Sequence, residues 1–270
     1  MRQKIGFIGA GNMAKALVKG LLESKRYDKE DIIASDKDQN ILNNMIEEFA
    51  IIKCSSNIDL VENSNIVLLA IKPQNMIDVL EEIKQVVGNQ HLLISIAAGI
   101  PLKVLQERLG NQSPLIRVMP NTPALVQKGM SALACGIMAT SKHMALATQI
   151  FKSVGETVEI DENLMDAVTA LSGSGPGYIF RIMECMVAAG QNLGLEQKIA
   201  LDLVVQTFLG SAQLAKDSDK TLYQLREMVT SPGGTTAAGL STLNKLGLKE
   251  ILDKTLDASC KKSIELGQKL

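Results

Sequence analysis

A glycine-rich turn near the amino terminus constrains the fold more than any other segment of the sequence. The residues Gly9-Ala10-Gly11-Asn12-Met13-Ala14 follow a short apolar run at 4–9 and precede residues 13–23, where apolar side chains recur at helical spacing. In a dinucleotide-binding unit, Gly9 permits the tight turn, Gly11 lets the backbone approach a pyrophosphate, and a small Ala14 allows close helix–strand packing. The first N–H groups of the helix then face the anion. The segment therefore predicts a strand–turn–helix unit that binds a dinucleotide.

The next hundred residues alternate between short apolar runs and helical patterns. Further strands are predicted at 32–35, 66–71, 91–99 and 115–120. Helices are predicted at 39–49, 76–87 and 101–110. This alternation is typical of a doubly wound α/β sheet with parallel strands and right-handed crossovers.

The pattern changes near residue 165, after which only helical periodicity is found. Helices are predicted at 176–193, 196–216, 221–229, 235–246 and 248–268. We therefore predict a Rossmann-type dinucleotide-binding domain over residues 1–164 and an all-helical domain over residues 165–270. Several of these helices are apolar on more than one face, which indicates a subunit interface. The alternative to such a homo-oligomer is a compact monomeric bundle.

Composition excludes several other classes of protein. The 28 basic and 29 acidic residues give a net charge of −1, and aromatic residues make up 3%. We therefore expect no nucleic-acid partner and no attraction to anionic membranes. We also expect no signal peptide and no membrane span. The four cysteines and two histidines show no metal-ligand spacing, so we expect no metal site and a cytoplasmic protein with reduced thiols.

The histidines also limit the chemistry. His91 is predicted at the entrance of a strand and His143 on the surface, which makes a histidine-centred mechanism hard to build. The second strand ends in Ser35, Asp36 and Lys37. Asp36 lies 22 residues after Ala14, and an acid there suits the ribose of NAD. Ser35 and Lys37 instead suit the additional phosphate of NADP, so the choice of cofactor stays open.

Other candidate residues lie at the ends of later strands, where open α/β sheets bind their ligands. Lys72, within Ala70–Pro73, can meet a cofactor phosphate or ribose. The small residues Ala97 and Ala98 suit close passage of the nicotinamide ribose. Asn121 and Thr122, braced by two prolines, offer fixed polar groups.

Two glycine-rich segments, 172–177 and 231–236, precede predicted helices in the second half of the chain. Each combines hydroxyl side chains with exposed N–H groups at a helix start, an arrangement that binds a carboxylate. The alternative for both is simple helix capping. The adjacent Gly233 and Gly234 favour the ligand-binding interpretation for the second segment.

Together the motifs GFIGAGNM, AIKP, SIAAG, MPNTPA, LSGSGP and VTSPGGTTAAGL resemble the pyrroline-5-carboxylate reductase family over essentially the whole chain. The resemblance implies NAD(P)H-dependent reduction of the C=N bond of 1-pyrroline-5-carboxylate to proline. It implies NADP(H) as cofactor, with NAD(H) as the alternative. It also implies a homodimer, or a larger homo-oligomer, whose helical domains interlock and whose active site lies at that interface.

The resemblance also assigns residue roles. The backbone N–H groups of the loop Gly233, Gly234, Thr235 and Thr236 hold the substrate carboxylate, and the catalytic Thr236 hydroxyl lies near the ring nitrogen. With Lys37 added from the strand-end argument, the cofactor-binding candidates are Gly9, Ala10, Gly11, Asn12, Met13, Ser35, Asp36, Lys37, Asn57, Ala70, Ile71, Lys72, Pro73, Ala97 and Ala98. Asp36 is a departure, because NADP-preferring members often carry a neutral residue there.

Three other interpretations compete. A hydroxyacid dehydrogenase of similar build needs a lysine four residues after Gly175, where this chain has Ile179. A nucleotide sensor without catalysis leaves the SPGGTT loop without a purpose. A reductase of another cyclic imine is harder to exclude, since a carboxylate site does not define ring size.

Overall fold

The computed structural model describes residues 3–110 and 113–268. By internal packing the chain divides into two units. One runs to Ser174 and includes the chain from Ala258 onward, and the other comprises Gly175–Asp257. The predicted boundary between residues 164 and 165 falls inside the first unit and stays a prediction. Residues 1, 2, 111, 112, 269 and 270 of the two predicted domains lie outside the described residues.

A single sheet of eight strands forms the centre of the first unit. The strands are β1 (Ile5–Ile8), β2 (Ile32–Ser35), β3 (Ile52–Lys53), β4 (Ile66–Leu69), β5 (Leu92–Ser95), β6 (Leu115–Met119), β7 (Gly129–Cys135) and β8 (Gly155–Glu159). Their order is β3-β2-β1-β4-β5-β6-β7-β8, and every neighbouring pair is parallel except β6 and β7. The strand order reverses direction between β1 and β4, the switch point where open α/β sheets bind ligands.

Twelve α-helices lie within the described residues. They are α1 (Asn12–Glu23), α2 (Gln39–Phe49), α3 (Asn57–Glu62), α4 (Met76–Ile83), α5 (Leu102–Leu109), α6 (Ser141–Phe151), α7 (Met165–Val168), α8 (Gly175–Asn192), α9 (Gln197–Asp217), α10 (Leu222–Met228), α11 (Thr235–Lys245) and α12 (Leu248–Gln268). Short 3₁₀ segments lie at Lys29–Asp31, Pro73–Asn75, Thr122–Val126, Lys152–Val154 and Glu162–Leu164, and a π-helical turn lies at Thr169–Gly173.

The predicted fold class, a doubly wound α/β sheet followed by an all-helical region, is confirmed. The five predicted strands are β1, β2, β4, β5 and β6, and they are parallel. The prediction missed β3, β7 and β8, together with α3 and α6. The β7 sequence, GMSALAC, contains glycine, serine and alanine and no β-branched residue, so its strand propensity is low.

The central strands β1, β2, β4 and β5 are buried on both faces, which explains why they are short, continuously apolar runs in the sequence. Ile5 and Phe7 belong to the apolar cluster that includes Leu17 of α1. Ile8 belongs to a second cluster, which includes Leu80 of α4. Burying a side chain of this size stabilises the fold by about 1.5–3 kcal/mol. This packing holds the carboxyl ends of β1 and β2 in fixed positions.

The second unit consists of helices that leave much of their apolar surface uncovered. Among its described residues only Gly175, Ala200 and Val204 are buried. Phe180 is 58% exposed and Leu209 is 61% exposed. Apolar patches of this extent on a globular unit mark a binding surface. No helix of the described residues combines the length and the hydropathy that crossing a membrane requires.

Candidate cofactor edge and carboxylate loop

The turn after β1 has a backbone that only glycine adopts easily. Gly9 has a φ of +102°, and its N–H donates a 2.8 Å hydrogen bond to the carbonyl oxygen of Ser35. A Cβ on Gly9 would lie 2.5 Å from the carbonyl oxygen of Ala70. The residue is therefore glycine because β1 and β4 end in close contact here.

At Gly11, two residues later, the reason for a glycine is different. It precedes α1 with an ordinary φ of −71°, and no side chain caps this helix. A Cβ on Gly11 would meet no atom within 4 Å. The protein's own packing therefore does not require a glycine at this position, whereas a ligand approaching the backbone does. The first-turn N–H groups, which include those of Asn12 and Met13, have no helical acceptors and fit a pyrophosphate.

The end of β2 gathers three of the predicted cofactor residues. Asp36 accepts a 2.8 Å hydrogen bond from the N–H of Ala10 through Oδ2. The Ser35 hydroxyl donates to Oδ1 of Asn57 over 2.7 Å. The structure thus brings Asn57, at the start of α3, to the same edge as Ser35 and Asp36.

The ends of β4 and β5 complete this edge of the sheet. Ala70 donates from its N–H to the carbonyl oxygen of Ile8 over 2.8 Å, and Ile71 follows it. Lys72 is exposed, and Pro73 begins the short segment Pro73–Asn75.

Two further residues of this edge follow β5. Ala97 is 4% exposed, and its N–H donates to the Ser95 hydroxyl over 3.4 Å. Ala98 follows it and is half-buried. All the predicted cofactor residues therefore lie at or beside the carboxyl ends of β1, β2, β4 and β5, which are neighbouring strands.

Sequence reasoning missed two side chains that contact these residues. Asn75 accepts a 3.2 Å hydrogen bond from Nζ of Lys37, and Glu82 accepts one of 2.7 Å from Nδ2 of Asn57. Both lie beyond β4, and the partners are 38 and 25 residues apart in the chain. No local sequence pattern marks such pairs, because only the strand order brings them together.

The loop before α11 has the geometry that the carboxylate interpretation requires. Gly233 has a φ of +69° and is exposed, with no atom within 4 Å of an added Cβ. Gly234 precedes α11, and no side chain caps the helix. The N–H groups of Thr235 and Thr236 therefore begin an uncapped helix of 11 residues. Such a helix start favours a bound carboxylate.

The other glycine-rich segment, at 172–177, is engaged by the protein itself. Asn121 donates from Nδ2 to the carbonyl oxygen of Ser172 over 3.2 Å and accepts from the N–H of Met130 over 2.9 Å. The Ser174 hydroxyl accepts from Ser259 over 3.2 Å. These contacts support a structural role for this segment.

Both histidines contribute to local structure. His91 directly precedes β5 and is 4% exposed, as predicted, and its Nδ1 accepts from the N–H of Gly88 over 3.0 Å. Burial lowers the pKa of His91. His143 is half-buried, a correction to the surface position predicted, because its Nδ1 accepts from the N–H of Thr140 at the start of α6. Within residues 3–110 and 113–268, no cluster of metal-binding side chains exists.

A buried arginine of β6 is paired with two partly exposed carboxylates. Arg117 is 4% exposed and donates from Nη1 to Oε1 of Glu162 over 3.2 Å, with Asp166 at 4.0 Å from Nη2. Ser263 of α12 donates to Oδ1 of Asp166 over 2.6 Å. The sequence signal, a single arginine within the apolar run LIRVM, was overlooked.

A Rossmann-type sheet edge with a glycine turn, together with an uncapped, glycine-rich helix start in the helical part of the chain, is typical of one class of protein. The class is that of the nicotinamide-dependent oxidoreductases with a Rossmann-type domain and a helical domain. A family model described as pyrroline-5-carboxylate reductase dimerisation matches residues 162–266. A second model, described as NADP oxidoreductase, coenzyme F420-dependent, matches residues 4–99.

Individual relatives cover nearly the whole chain. A pyrroline-5-carboxylate reductase of Methanosarcina acetivorans is 39% identical over 267 residues, which is 99% of each chain. This chain therefore belongs to the pyrroline-5-carboxylate reductase family. Among solved structures, the Coxiella burnetii enzyme has a TM-score of 0.92 at 35% identity, covering 98% of this chain and 99% of that one. The Plasmodium falciparum pyrroline carboxylate reductase with NADP bound has a TM-score of 0.87 at 34% identity, covering 98% of each.

Proposed function

We propose that this protein is an NAD(P)H-dependent reductase that converts 1-pyrroline-5-carboxylate to L-proline, the last step of proline biosynthesis. The observation that carries the proposal is family membership over 99% of the chain, including the loop at 231–236. The same family membership argues against a hydroxyacid dehydrogenase. So does Ile179, because that chemistry needs a lysine at this position.

The chain's own residues fit a nicotinamide dinucleotide. Gly9 and Gly11 shape the turn, and the uncapped start of α1 meets the pyrophosphate. The candidates at the ends of β2, β4 and β5 would bind the remainder of the cofactor. The NADP in the Plasmodium falciparum relative supports this assignment. The bound, reduced cofactor supplies a hydride.

The loop at 233–236 is proposed to bind the substrate. The backbone N–H groups at the start of α11 hold the carboxylate, since no side chain caps this helix and the space beside Gly233 is open, whereas a Cβ on Gly234 would meet Ser231. The Thr236 hydroxyl, one residue into the helix, donates to or accepts from the ring nitrogen. Thr236 is the proposed catalytic residue because its hydroxyl would contact the C=N group of a substrate whose carboxylate is held by the same loop.

The proposed chemistry needs no histidine acid. A protonated cyclic imine is already electrophilic, and addition of hydride to its carbon moves the C=N electron pair to nitrogen and neutralises the charge. The protein then mainly holds two reactants in the correct geometry, which lowers a barrier substantially. His91 and His143 are engaged in local hydrogen bonds, which agrees with this requirement.

A second copy of the chain is the proposed occupant of the apolar helical surface. A groove of about 590 Å³ lies between α8 and α9, and Phe180, Val187 and Leu201 are among its lining residues. The family model matched to this region is named for dimerisation. We propose a homodimer through the helical domain, or a larger homo-oligomer built from it.

The proposed compartment is the cytoplasm, and no nucleic-acid partner is proposed. All four cysteines are free thiols. Free thiols that persist without pairing are typical of a reducing compartment. The net charge of −1 gives no general attraction to nucleic acid.

The decisive experiment measures oxidation of NADPH, and separately of NADH, by the purified protein with 1-pyrroline-5-carboxylate, with proline identified as product. Thr236→Ala should lower kcat roughly 10–100-fold, the worth of one hydrogen bond to a charged group. Its Kd for the cofactor should stay unchanged.

Thr242→Ala is the matched control for this variant. Thr242 lies on the same helix, α11, and its hydroxyl donates to the carbonyl oxygen of Ala238 over 3.2 Å. An equal loss of kcat in both variants, or an unaltered kcat in Thr236→Ala, would remove Thr236 from the reaction. Turnover with another cyclic imine in place of the pyrroline would redirect the substrate assignment.

A further inference from the structure

The carboxylate of Asp36 is held in one orientation by the backbone on both sides. Its Oδ2 accepts from the N–H of Ala10 and its Oδ1 accepts from the N–H of Asp38, each over 2.8 Å. Each carboxylate oxygen carries two lone pairs, so both can accept a further hydrogen bond. Asp36 is therefore an oriented acceptor at the place where dinucleotide folds bind the adenosine ribose.

The polar side chains beside Asp36, Ser35 and Asn57, are already hydrogen-bonded within the protein. The only hydroxyl hydrogen of Ser35 is donated to Asn57. The Nδ2 of Asn57 in turn donates to the carboxylate of Glu82 over 2.7 Å. A ribose 2′-hydroxyl can donate to the Asp36 carboxylate, whereas a 2′-phosphate needs donors there. The chain thus favours a hydroxyl over a phosphate at this point.

Two nearby lysines instead favour binding of the 2′-phosphate. Lys37 and Lys72 are exposed, and Nζ of Lys37 donates to Oδ1 of Asn75 over 3.2 Å. Solvent and salt screen exposed charges strongly and screen a half-buried carboxylate less. Asp36 is half-buried and bonded to the turn itself, so its charge has the larger effect on a group bound at the ribose position.

From this arrangement we propose that the protein selects NADH over NADPH, with Asp36 as the residue that determines the selection. The proposal rests on the proposed function, and it leaves NADPH as a weaker alternative. The 2′-phosphate carries a charge of about −1.5 to −2 near neutral pH. It meets the fixed charge of Asp36, while the 2′-hydroxyl of NADH gains an acceptor.

The test measures equilibrium binding of NAD⁺ and NADP⁺, and of 5′-AMP and 2′,5′-ADP, by isothermal titration calorimetry. The wild-type protein should bind the nucleotide without the 2′-phosphate at least about tenfold more tightly in each pair, which is ~1.4 kcal/mol. Equal affinities, or tighter binding of NADP⁺ and 2′,5′-ADP, would overturn the proposal.

Two substitutions separate charge from shape. Asp36→Asn keeps the size of the side chain and removes the charge, so the ratio should shift toward NADP⁺ by about tenfold. Asp36→Glu keeps the charge and should keep the preference. The control, Glu30→Gln, removes an exposed carboxylate from the segment before β2 and should leave the ratio unchanged. An unaltered ratio in Asp36→Asn, or an equal loss of both ligands, would assign Asp36 to anchoring the turn alone.

These measurements are independent of the reaction. The mononucleotides contain no nicotinamide, so their binding does not require an imine or a hydride transfer. If the protein binds 5′-AMP more tightly than 2′,5′-ADP but reduces no imine, the proposed cofactor selection stands and the proposed function is wrong. If the protein reduces 1-pyrroline-5-carboxylate but binds NADP⁺ more tightly than NAD⁺, the proposed function stands and the proposed cofactor selection is wrong.

Discussion

Replacing Gly9 and Gly11 by alanine, one at a time, should separate fold stability from cofactor binding within a single turn. An alanine at Gly9 would have to keep a φ of +102° and place its Cβ 2.5 Å from the carbonyl oxygen of Ala70. Ordinary contacts begin at 3.4 Å, so 0.9 Å of backbone movement is required. Ala70 cannot yield easily, because its N–H is bonded to Ile8 of β1 over 2.8 Å.

The expected cost at Gly9 is the sum of backbone strain and overpacking. Each contributes about 1–3 kcal/mol, so Gly9→Ala should lose about 2–6 kcal/mol of stability. For a chain of this size, that corresponds to a fall in Tm of roughly 5–20 °C. Gly11→Ala meets no atom within 4 Å and has an extended backbone, so its stability should change by less than about 1 kcal/mol.

Cofactor binding should show the opposite order of effects. The Cβ of Gly11→Ala projects into the open space before α1 and blocks close approach of the pyrophosphate, so the affinity for NADH should fall at least about tenfold. Scanning calorimetry gives Tm, and titration calorimetry gives the Kd for NADH. Gly11→Ala with wild-type affinity, or Gly9→Ala with wild-type Tm, would refute the roles derived from the structure.

Three further predictions follow from buried charge, from titration and from the uncovered helices. Glu162→Gln leaves the buried Arg117 without its nearest counter-charge and should cost about 3 kcal/mol, whereas Glu81→Gln, which removes an exposed ion pair with Arg108, should cost less than about 1 kcal/mol; thermal unfolding compares the two. Because burial lowers the pKa of His91, the unfolded chain binds a proton that the folded one resists, so stability should fall as pH drops below 6.5. His91→Gln should flatten that part of a plot of Tm against pH. Phe180→Asp places a charge on the apolar groove between α8 and α9, and light scattering should then show a smaller particle than for the wild type, whereas an unchanged mass would place the interface elsewhere.

Much of the candidate cofactor site could be predicted because its signals are local. The turn after β1 combines glycines with a change from strand to helical spacing within fifteen residues, and each position has its own steric reason. The loop at 231–236 was identified in the same way, from two adjacent glycines before a periodic helix. Neither case required knowledge of which strands are neighbours.

Other features depended on partners far away in the chain. The strand β7 has weak intrinsic propensity and forms because β6 offers it an antiparallel edge. The bond from Ala10 to Asp36 spans 26 residues, and that from Ser35 to Asn57 spans 22. Which groups hold Asp36 and Ser35 in place was therefore open until these contacts were known.

The sequence by itself determined the order of strands and helices, the glycine turn and the family, since periodicity and steric limits act over a few residues. Only the tertiary structure decided which polar groups meet at the carboxyl edge of the sheet and which are already bonded to each other. Arg117 illustrates the difference. The sequence shows one charged residue in an apolar strand, and its role as an ion-pair partner is visible only when Glu162 and Asp166 are found beside it. Packing chooses these partners, because a buried charge is stable only where the fold supplies its counter-charge.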